Sequence, residues 1–268
     1  MSVQTLYTAA TGMEALQTKL DVIANNLANV NTTGFQKDRA NFEDLFYRTE
    51  KVPGAPDSDG TPTPTGIQVG LGTRVSSIQT DFRQGALLQT GRNLDVAIQG
   101  NGFFQVIDPG SGDTLFTRAG HLDINANGAL VIGSANVGRL LEPSITIPPD
   151  ATEVSIGADG SVDFRQPGSD TLSNAGQLQL AVFQNPDGLL KLGDSLYAAT
   201  DASGTATPDV PGTNGIGQLR QGALEASNVE PVQELIDLIT TQRSFELNSQ
   251  TVQAGDQILQ LVANLRRF

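Results

Sequence analysis

The residue types that most often carry catalysis are scarce in this chain. Among its 268 residues there is no cysteine and a single histidine, His121. A thiolate nucleophile and a zinc site built on cysteines or on several histidines are therefore excluded. A Ser-His-Asp triad would have to use His121, but no Gly-x-Ser-x-Gly nucleophile motif occurs. We interpret His121 as a surface residue of a strand, and we predict no catalytic residue, no cofactor and no metal site.

One stretch matches the first half of a calcium-binding loop. Asp123, Asn125 and Asn127 stand at alternate positions, and Gly128 follows. Such a loop also needs a bidentate carboxylate at its twelfth position, which Ser134 occupies here. Because Asn-Gly is also a strong signal for a tight hairpin, we interpret the stretch as a turn between two strands.

The charge balance is strongly acidic. There are 16 Lys and Arg residues against 29 Asp and Glu residues, which gives a net charge of −13. Nucleic-acid binding requires clustered basic side chains that neutralise phosphates, and the longest basic cluster here is Arg266-Arg267. An anionic membrane surface would repel the chain for the same reason. We therefore exclude nucleic acid as a partner and interpret the acidic surface as a means of keeping the chain soluble.

The sequence lacks the signals of the general secretory route. No Lys or Arg occurs in the first 18 residues, and no unbroken apolar run follows them. No stretch approaches the roughly 20 apolar residues that a membrane-spanning helix needs. We expect no direct membrane insertion. If the protein leaves the cytoplasm, we expect a route without a cleaved signal peptide.

The N-terminal segment has the pattern of an assembly helix. Apolar residues recur at alternating steps of three and four, which is the heptad spacing of helices that pack against one another. These positions are Leu6, Ala9, Met13, Leu16, Leu20, Ile23, Leu27 and Val30. The helix is predicted to end in the stretch Asn31–Gly34, where Asn and Thr side chains compete for backbone hydrogen bonds and glycine permits a turn. An amphipathic helix packed only on its own domain is the alternative.

A second long helix is predicted at the other end of the chain. Ser227, Glu230 and Pro231 form a helix start, with cap candidates followed by a proline that the first turn tolerates. The residues predicted to line its assembly face are Leu235, Ile239, Gln242, Phe245, Val252, Leu259 and Val262. Polar positions in this stripe either set the register between helices or face solvent, and the sequence leaves both interpretations open.

Between the two helices the sequence is typical of strands and turns. Residues 96–107 (VAIQGNGFFQVI) and 178–183 (LQLAVF) are rich in β-forming side chains. Dipeptides that favour the positive φ angles of tight hairpins occur at Asn127-Gly128, Asp159-Gly160 and Asp187-Gly188. Residues 92–200 are therefore predicted to form a β domain.

An identical pentapeptide stands on either side of this β domain. Arg-Gln-Gly-Ala-Leu occupies residues 83–87 and again residues 220–224. We interpret the copies as paired extended segments that lead into and out of the β domain, which would bring the terminal helices side by side. Repeated use of a favourable β turn is the alternative.

The predicted fold class is α+β. N- and C-terminal helices form a coiled-coil-like α domain, and a mainly-β domain is inserted between them through extended β connecting segments. The predicted parts are residues 1–45 for the N-terminal assembly helix and its terminator, 46–91 for the first connecting segment with its Pro/Gly-rich stretch, 92–200 for the β domain, 201–226 for the returning segment and 227–268 for the C-terminal assembly helix.

Several longer stretches resemble a known family. Residues 24–35 (ANNLANVNTTGF) are similar to the N-terminal signature of bacterial flagellar rod and hook proteins, and residues 94–104 (LDVAIQGNGFF) are similar to the family's central motif. Further matches are residues 117–120 (TRAG), 224–229 (LEASNV) and 242–246 (QRSFE). Within the family, the length and the segment Tyr47–Gly70 resemble distal rod subunits most closely.

The resemblance implies a structural protein and not an enzyme. Its expected place is the rod of the flagellar basal body, the drive shaft that crosses the periplasm. There it would polymerise through its terminal helices into a helical tube that transmits torque from motor to hook. Export would use the flagellar type III apparatus. The expected partners are further copies of itself, proximal rod proteins, hook or hook-junction subunits and bushing-ring proteins.

Three alternatives to this interpretation stay open. The first is another rod or hook-family axial subunit. The second is an extracytoplasmic β-domain enzyme acting on polysaccharide, which would need a cleft with converging carboxylates and strongly shifted acidic pKa values. The third is a small adhesin or scaffold that trimerises through its terminal helices, for which fixed trimers in solution would be the sign.

Overall fold

Two long helices lie at the ends of the chain and strands occupy the sequence between them. The structure is a computed structural model that describes residues 3–54, 56, 64–133, 137–168 and 171–265, without the side chains of Val3, Val262, Ala263 and Leu265. The predicted α+β class is confirmed, while the coiled-coil-like pairing and the inserted domain stay predictions. The chain divides into two compact units. The helical unit comprises Met1–Ala28, Asp38–Thr80 and Glu230–Phe268, and the β unit comprises Asn29–Lys37 and Asp81–Val229.

Helix α1 covers Val3–Ala28 and ends close to the predicted terminator. Turns follow it, and Gly34 has a φ of +67°, which costs glycine little and other residues more. The inclusion of Val30 in the helical stripe is wrong, because the chain has already left the helix at that point. The turn starts at Asn29, whose carbonyl accepts the backbone N–H of Thr32 at 3.1 Å.

Helix α2 covers Pro231–Leu265 and begins at the predicted proline. Proline suits the first helical position because its missing N–H would have no partner there. Glu234 adds a negative charge in the first turn, where the helix dipole favours it.

The helical unit also contains two β ladders. Its strands are β1 (Asp38–Asp44), β2 (Tyr47–Lys51), β3 (Ile67–Gly70) and β4 (Thr73–Thr80). Strand β1 pairs antiparallel with β4, with a bulge between Asn41 and Phe42, and β2 pairs antiparallel with β3. Helix α1 packs against α2 and against both β1 and β4.

The β unit is built from antiparallel ladders. Its strands are β5 (Leu87–Gln89), β6 (Val96–Gln99), β7 (Phe103–Ile107), β8 (Thr114–Thr117), β9 (Leu122–Ile124), β10 (Leu130–Gly133), β11 (Gly138–Glu142), β12 (Glu153–Ile156), β13 (Ser161–Arg165), β14 (Ser173–Gln177), β15 (Leu180–Val182), β16 (Leu190–Gly193), β17 (Leu196–Ala198), β18 (Thr207–Asp209), β19 (Gln218–Gln221) and β20 (Ala223–Glu225). The largest sheet has the order β16-β17-β8-β7-β11-β10-β9, and β15 joins it through β7 and carries β18. The remaining sheets are β12-β13-β14, β6-β19 and β5-β20.

Two of the three predicted hairpins are confirmed. Asn127-Gly128 connects the paired strands β9 and β10, and Asp159-Gly160 connects β12 and β13. The hairpin at Asp187-Gly188 is wrong. There Pro186–Gly188 forms a short 3-10 helix, and the flanking strands β15 and β16 pair with other strands. Proline presets the φ of a helical turn, which competes with the hairpin signal of the dipeptide after it.

The apolar interior of the β unit is a cluster of side chains drawn from most of its strands. Its fully buried members with the largest side chains are Phe104, Ile98, Leu122, Leu130, Leu141, Ile147, Leu178 and Leu180. A smaller aromatic cluster contains Phe103, Phe116, Phe183 and Tyr197, with ring centroids 4.7–5.8 Å apart in mostly edge-to-face pairs. Such pairs add stability beyond their buried area.

The segments that carry the repeated pentapeptides are paired only in part, through strands β5 and β20, and Leu87 is the one residue of the first copy that lies in β5. Leu87 in the first copy is opposite Glu225, the residue that directly follows the second copy. The two glycines are required for different reasons. Gly222 has a φ of +73°, whereas a Cβ on Gly85 would overlap the carbonyl oxygen of Ala226. The same five residues therefore meet two different local conditions.

Candidate assembly surface

One stripe of α2 is shielded from solvent within the helical unit. Its members recur at alternating steps of four and three: Glu234, Leu238, Thr241, Phe245, Asn248, Val252 and Gly255. The contact with α1 is close, since a Cβ on Gly12 would come within 3.3 Å of the Asn248 side-chain nitrogen. Among the described residues, no apolar side chain of α2 is fully buried. Sequence reasoning identified Phe245 and Val252 of this stripe but missed Glu234, Thr241 and Asn248, because these members are polar and do not continue an apolar pattern.

The predicted residues of α1 are withdrawn from solvent to different degrees. Ala9 and Ile23 are buried. The half-buried ones are Leu6, Met13, Leu16, Leu20 and Leu27. Ala15 and Val22, which the heptad pattern did not include, are also buried. A single stripe could not account for this, because α1 packs against strands as well as against α2.

The predicted residues of α2 divide into two groups. Phe245 and Val252 belong to the shielded stripe, whereas the exposed ones are Leu235, Ile239, Gln242 and Leu259. The side chain of Val262 lies outside the described residues. The role of these positions, like those of α1, in contacts between subunits stays a prediction.

The first turns of α2 carry a second, exposed apolar stripe. Val232, Leu235, Ile236 and Ile239 are 71%, 45%, 50% and 52% exposed. Their spacing of three, four and seven residues places them on one helix face. We call these four residues the outer stripe. Contiguous apolar side chains in contact with water are typical of surfaces that bind a partner.

A buried polar cluster joins the end of α1 to the start of α2. The side chain of Asn26 donates to the backbone carbonyl of Asp38 and accepts from its N–H, both at 2.9 Å. It also donates to Glu234 at 3.4 Å. Asn26 and Glu234 are both buried, so each depends on these hydrogen bonds to offset the loss of water. Sequence reasoning included Asn26 in a family-like stretch but assigned it no contact.

A cleft of about 600 Å³ in the β unit tests the enzymatic alternative. Asp108, Asp113 and Asp194 line it together with Arg139, whose guanidinium lies 3.6 Å from Asp108 and 3.4 Å from Asp194. A backbone hydrogen bond from Ser111 lowers the pKa of Asp108. A general acid for glycoside cleavage needs the opposite shift. Asp108 is therefore not suited to the role of the general acid that this alternative requires.

The calcium-like stretch uses its oxygen atoms within the turn. Asn125 Oδ1 accepts the backbone N–H groups of Asn127 and Ala129, each at 2.9 Å, and Asp123 pairs with Arg92. Ser134 lies outside the described residues. These contacts support the interpretation as a turn.

The side chain of the single histidine contacts a backbone carbonyl group. Nε2 of His121 lies 2.9 Å from the carbonyl oxygen of Gly133, and the side chain is partly buried. In the described part of the chain, neither helix has the combination of length and hydropathy that a membrane span requires.

An α+β chain whose terminal helix carries an exposed apolar stripe, and whose β unit has its own core, has features typical of structural proteins. Comparison with known proteins agrees with this class. Residues 6–36 match the flagella basal body rod protein family, residues 97–164 match the flagellar hook protein FlgE/F/G D1 domain, and residues 220–265 match the C-terminal region of flagellar basal body rod FlgEFG proteins.

Full-length relatives extend the match. The chain is 44% identical to the flagellar basal-body rod protein FlgG of Caulobacter vibrioides over 264 residues, 98% of this chain and 99% of that protein. It is 42% identical to FlgG of Bacillus subtilis, over 98% of this chain and 99% of that protein. The rod protein FlgF of Caulobacter vibrioides is 36% identical over 90% of this chain and 89% of that protein. The chain belongs to the flagellar basal-body rod protein family. It is accordingly a structural protein of the basal-body rod, and not an enzyme.

Proposed function

We propose that the chain is a subunit of the distal rod that polymerises through its terminal helices into a helical tube. The tube transmits torque from the motor to the hook. The assignment to the distal rod is supported by the identities to FlgG and FlgF of one organism, 44% and 36%. The alternative is another axial subunit of the rod or hook family.

The outer stripe is the observation that carries polymerisation. Its four residues are exposed, although the opposite stripe of the same helix packs against α1. Burying a Leu or Ile side chain yields about 1.5–3 kcal/mol, so covering the stripe with another copy stabilises the contact substantially. Because α2 presents no fully buried apolar side chain in its described part, the helix gains more from a neighbour than it has within one chain.

The partners in this proposal follow from the position of the subunit in the shaft. They are other copies of the chain, proximal rod proteins, hook or hook-junction subunits and bushing-ring proteins. Export occurs through the flagellar type III apparatus. Helices that are weakly held in a single chain suit passage through a narrow channel.

The segment Val52–Gly72 is proposed to bridge neighbouring subunits and stiffen the shaft. In its described part, Val52, Ile67 and Val69 are exposed apolar side chains. A two-stranded ladder such as β2–β3 is marginal without further packing, so a neighbouring subunit would stabilise it. Deleting the segment should leave assembly intact but make the polymer bend more easily in electron micrographs. Unchanged bending would refute the bridging role.

The test of polymerisation is a double substitution in the outer stripe, Leu235→Ser with Ile239→Ser. Polymer formation by the purified full chain is followed by sedimentation and electron microscopy. We expect loss of pelletable tubes while the β unit keeps its thermal transition. The matched control is Leu190→Ser with Leu192→Ser, because these leucines are 55% and 53% exposed on strand β16 of the β unit. The control should polymerise normally.

Two results would overturn the proposal. Normal tubes from the α2 variant would show that the outer stripe is not the contact. Fixed trimers of the unaltered chain at every concentration would indicate a closed scaffold.

A further inference from the structure

The chain passes between the helical unit and the β unit at four places, after Ala28, Lys37, Thr80 and Val229. At three of these crossings, the residues on the β-unit side lie close to the side chain of Asn228. Lys37 and Asp81 are the β-unit residues at two of them, and Asn228 directly precedes Val229, the β-unit residue at the third.

The side-chain amide of Asn228 bonds to both other crossings. Its oxygen accepts the backbone N–H of Lys37 at 2.8 Å. Its nitrogen lies 2.7 Å from the carbonyl oxygen of Asp81 and 3.0 Å from that of Arg83. A direct backbone bond from Asp81 N–H to the Lys37 carbonyl, at 2.9 Å, completes the junction. A side chain must offer both a donor and an acceptor to make these contacts, which an amide does.

Gln36 extends the junction into the interior of the β unit. Its side-chain oxygen Oε1 accepts from Asn228 Nδ2 at 2.9 Å, and its side-chain nitrogen Nε2 donates to Glu225 Oε1 at 3.2 Å. Glu225 also accepts the backbone N–H of Gly85 at 3.0 Å and pairs with Arg118 at 2.8 Å. The Glu225 and Arg118 side chains are only 0% and 3% exposed. A buried pair of this kind is costly to break on one side, because the remaining charge is left without a partner.

Two glycines allow the segments to approach this closely. A Cβ on Gly85 would overlap the carbonyl oxygen of Ala226, and a Cβ on Gly34 would lie 2.8 Å from the backbone nitrogen of Ala119. The backbone segments around residues 34, 85, 119 and 226 therefore leave no room for a side chain between them. The hydrogen bonds of the junction and the close backbone packing at the two glycines therefore restrict neighbouring parts of the same segments.

We infer that Asn228 is a positioning residue for assembly. Together with Gln36, Arg118 and Glu225 it forms a clamp that holds three chain crossings at one place in the β unit. The segments that lead toward β1, β4 and α2 then leave the β unit together, instead of separating when the helices are not yet covered. This inference rests on the proposed polymerisation. It also assigns a physical task to Arg118, Glu225 and Asn228, which lie in stretches that resemble the flagellar family.

The test replaces the amide of Asn228 by a carboxylate in the full-length chain. Asn228→Asp puts an acceptor oxygen against the oxygens of Asp81, Arg83 and Gln36, where the amide now donates. Amide exchange of the soluble monomer, read by mass spectrometry, should become about tenfold faster or more in residues 34–37, 81–86 and 225–229, with strand β7 unchanged. The matched control is Asn127→Asp, because Asp also suits an exposed hairpin turn before glycine. It should leave exchange in those segments unchanged.

Two milder variants cover the case in which Asn228→Asp does not fold. Asn228→Ala removes the hydrogen bonds without adding a charge. Gly85→Ala forces a methyl group against Ala226, and its control is Gly138→Ala, where a Cβ would meet nothing closer than 3.8 Å. The same local pattern of faster exchange is expected from both clamp variants. Uniform acceleration through the whole β unit, or no acceleration, would overturn the clamp.

Polymerisation distinguishes positioning from stability alone. The concentration at which Asn228→Ala forms tubes should rise about tenfold, while its thermal transition stays close to that of the unaltered chain. Normal tube formation with loosened crossings would overturn the positioning role. If the unaltered chain forms no tubes, the proposed function fails, and the exchange pattern still decides whether the clamp exists.

Discussion

The two units bury apolar side chains in opposite ways. In the β unit, large residues such as Phe104, Leu130 and Leu180 are completely withdrawn from solvent. In the described part of the helical unit, the buried apolar residues are few and mostly small, namely Ala9, Ala15, Val22 and Ile23. Many of its larger apolar side chains are exposed, including Tyr7, Phe46, Val232 and Leu247.

The β unit completes its apolar core with its own residues, whereas we expect the helical unit to cover its apolar side chains with those of neighbouring chains. Burial of apolar area is the main favourable term in folding, and conformational entropy opposes it residue by residue. The β unit satisfies that balance with its own strands. The helical unit keeps much of its apolar surface uncovered, and we therefore expect its order to depend on association.

Amide exchange of the isolated monomer should show the contrast most strongly. We expect fast exchange before about residue 30 and after about residue 228, and exchange about 10³-fold slower or more in the central strands of the β unit, since each 1.4 kcal/mol of opening free energy is a factor of ten. Mass spectrometry after timed labelling measures both regions in one sample. Strong protection of α1 and α2 in a proven monomer would contradict the dependence on neighbours.

We expect two truncations, one in each unit, to rank in one order by their effect on the monomer and in the reverse order by their effect on the polymer. Phe104→Ala should lower the free energy of unfolding of the β unit by about 3–5 kcal/mol, because it leaves a cavity in a closed core. Ile236→Ala on the exposed face of α2 should change the stability of the monomer by less than about 0.5 kcal/mol.

Urea unfolding followed by circular dichroism provides both values, and sedimentation provides the effect on the polymer. There the order should reverse, with Ile236→Ala weakening tubes more than Phe104→Ala does. If both substitutions destabilise the monomer equally, the two units do not differ as described.

Acid should weaken the β unit modestly. The Ser161 hydroxyl lowers the pKa of Asp159, and the backbone N–H of Val210 lowers the pKa of Asp209. A carboxyl group whose folded pKa is depressed stabilises fully above its unfolded pKa of about 3.9, and this contribution is lost as the pH falls through the folded value.

The urea midpoint of the β unit should therefore fall as the pH is lowered below about 4. A variant with Asp159→Asn and Asp209→Asn should show a shallower fall, because it lacks both titrating groups. An equal slope in the two proteins would show that other carboxyl groups dominate.

Structural features that depend on residues close together in the sequence were predictable. The Asn-Thr-Thr-Gly stretch marked the end of α1, Pro231 marked the start of α2, and Asn127-Gly128 and Asp159-Gly160 marked two hairpins. Asp187-Gly188 shows the limit of such signals, because its flanking strands pair elsewhere.

The faces of the helices were less predictable. Leu235 and Ile239 continued an apolar pattern in α2, but the stripe that faces α1 contains Glu234, Thr241 and Asn248 instead. An apolar pattern indicates which residues avoid water. It does not distinguish a contact within one chain from a contact between chains, since both remove the same kind of surface.

The amino-acid sequence was sufficient to predict two helical ends, a β-rich middle and the lack of the cysteine or histidine clusters that common catalytic sites use. These properties depend on composition and on short-range backbone preferences. Which polar side chains hold distant segments together became evident from the folded chain. Asn228 bonds to Lys37 and Asp81, which are 191 and 147 residues away in sequence. The position of such a partner depends on the path of the intervening chain, and no local preference of Asn228 contains that information.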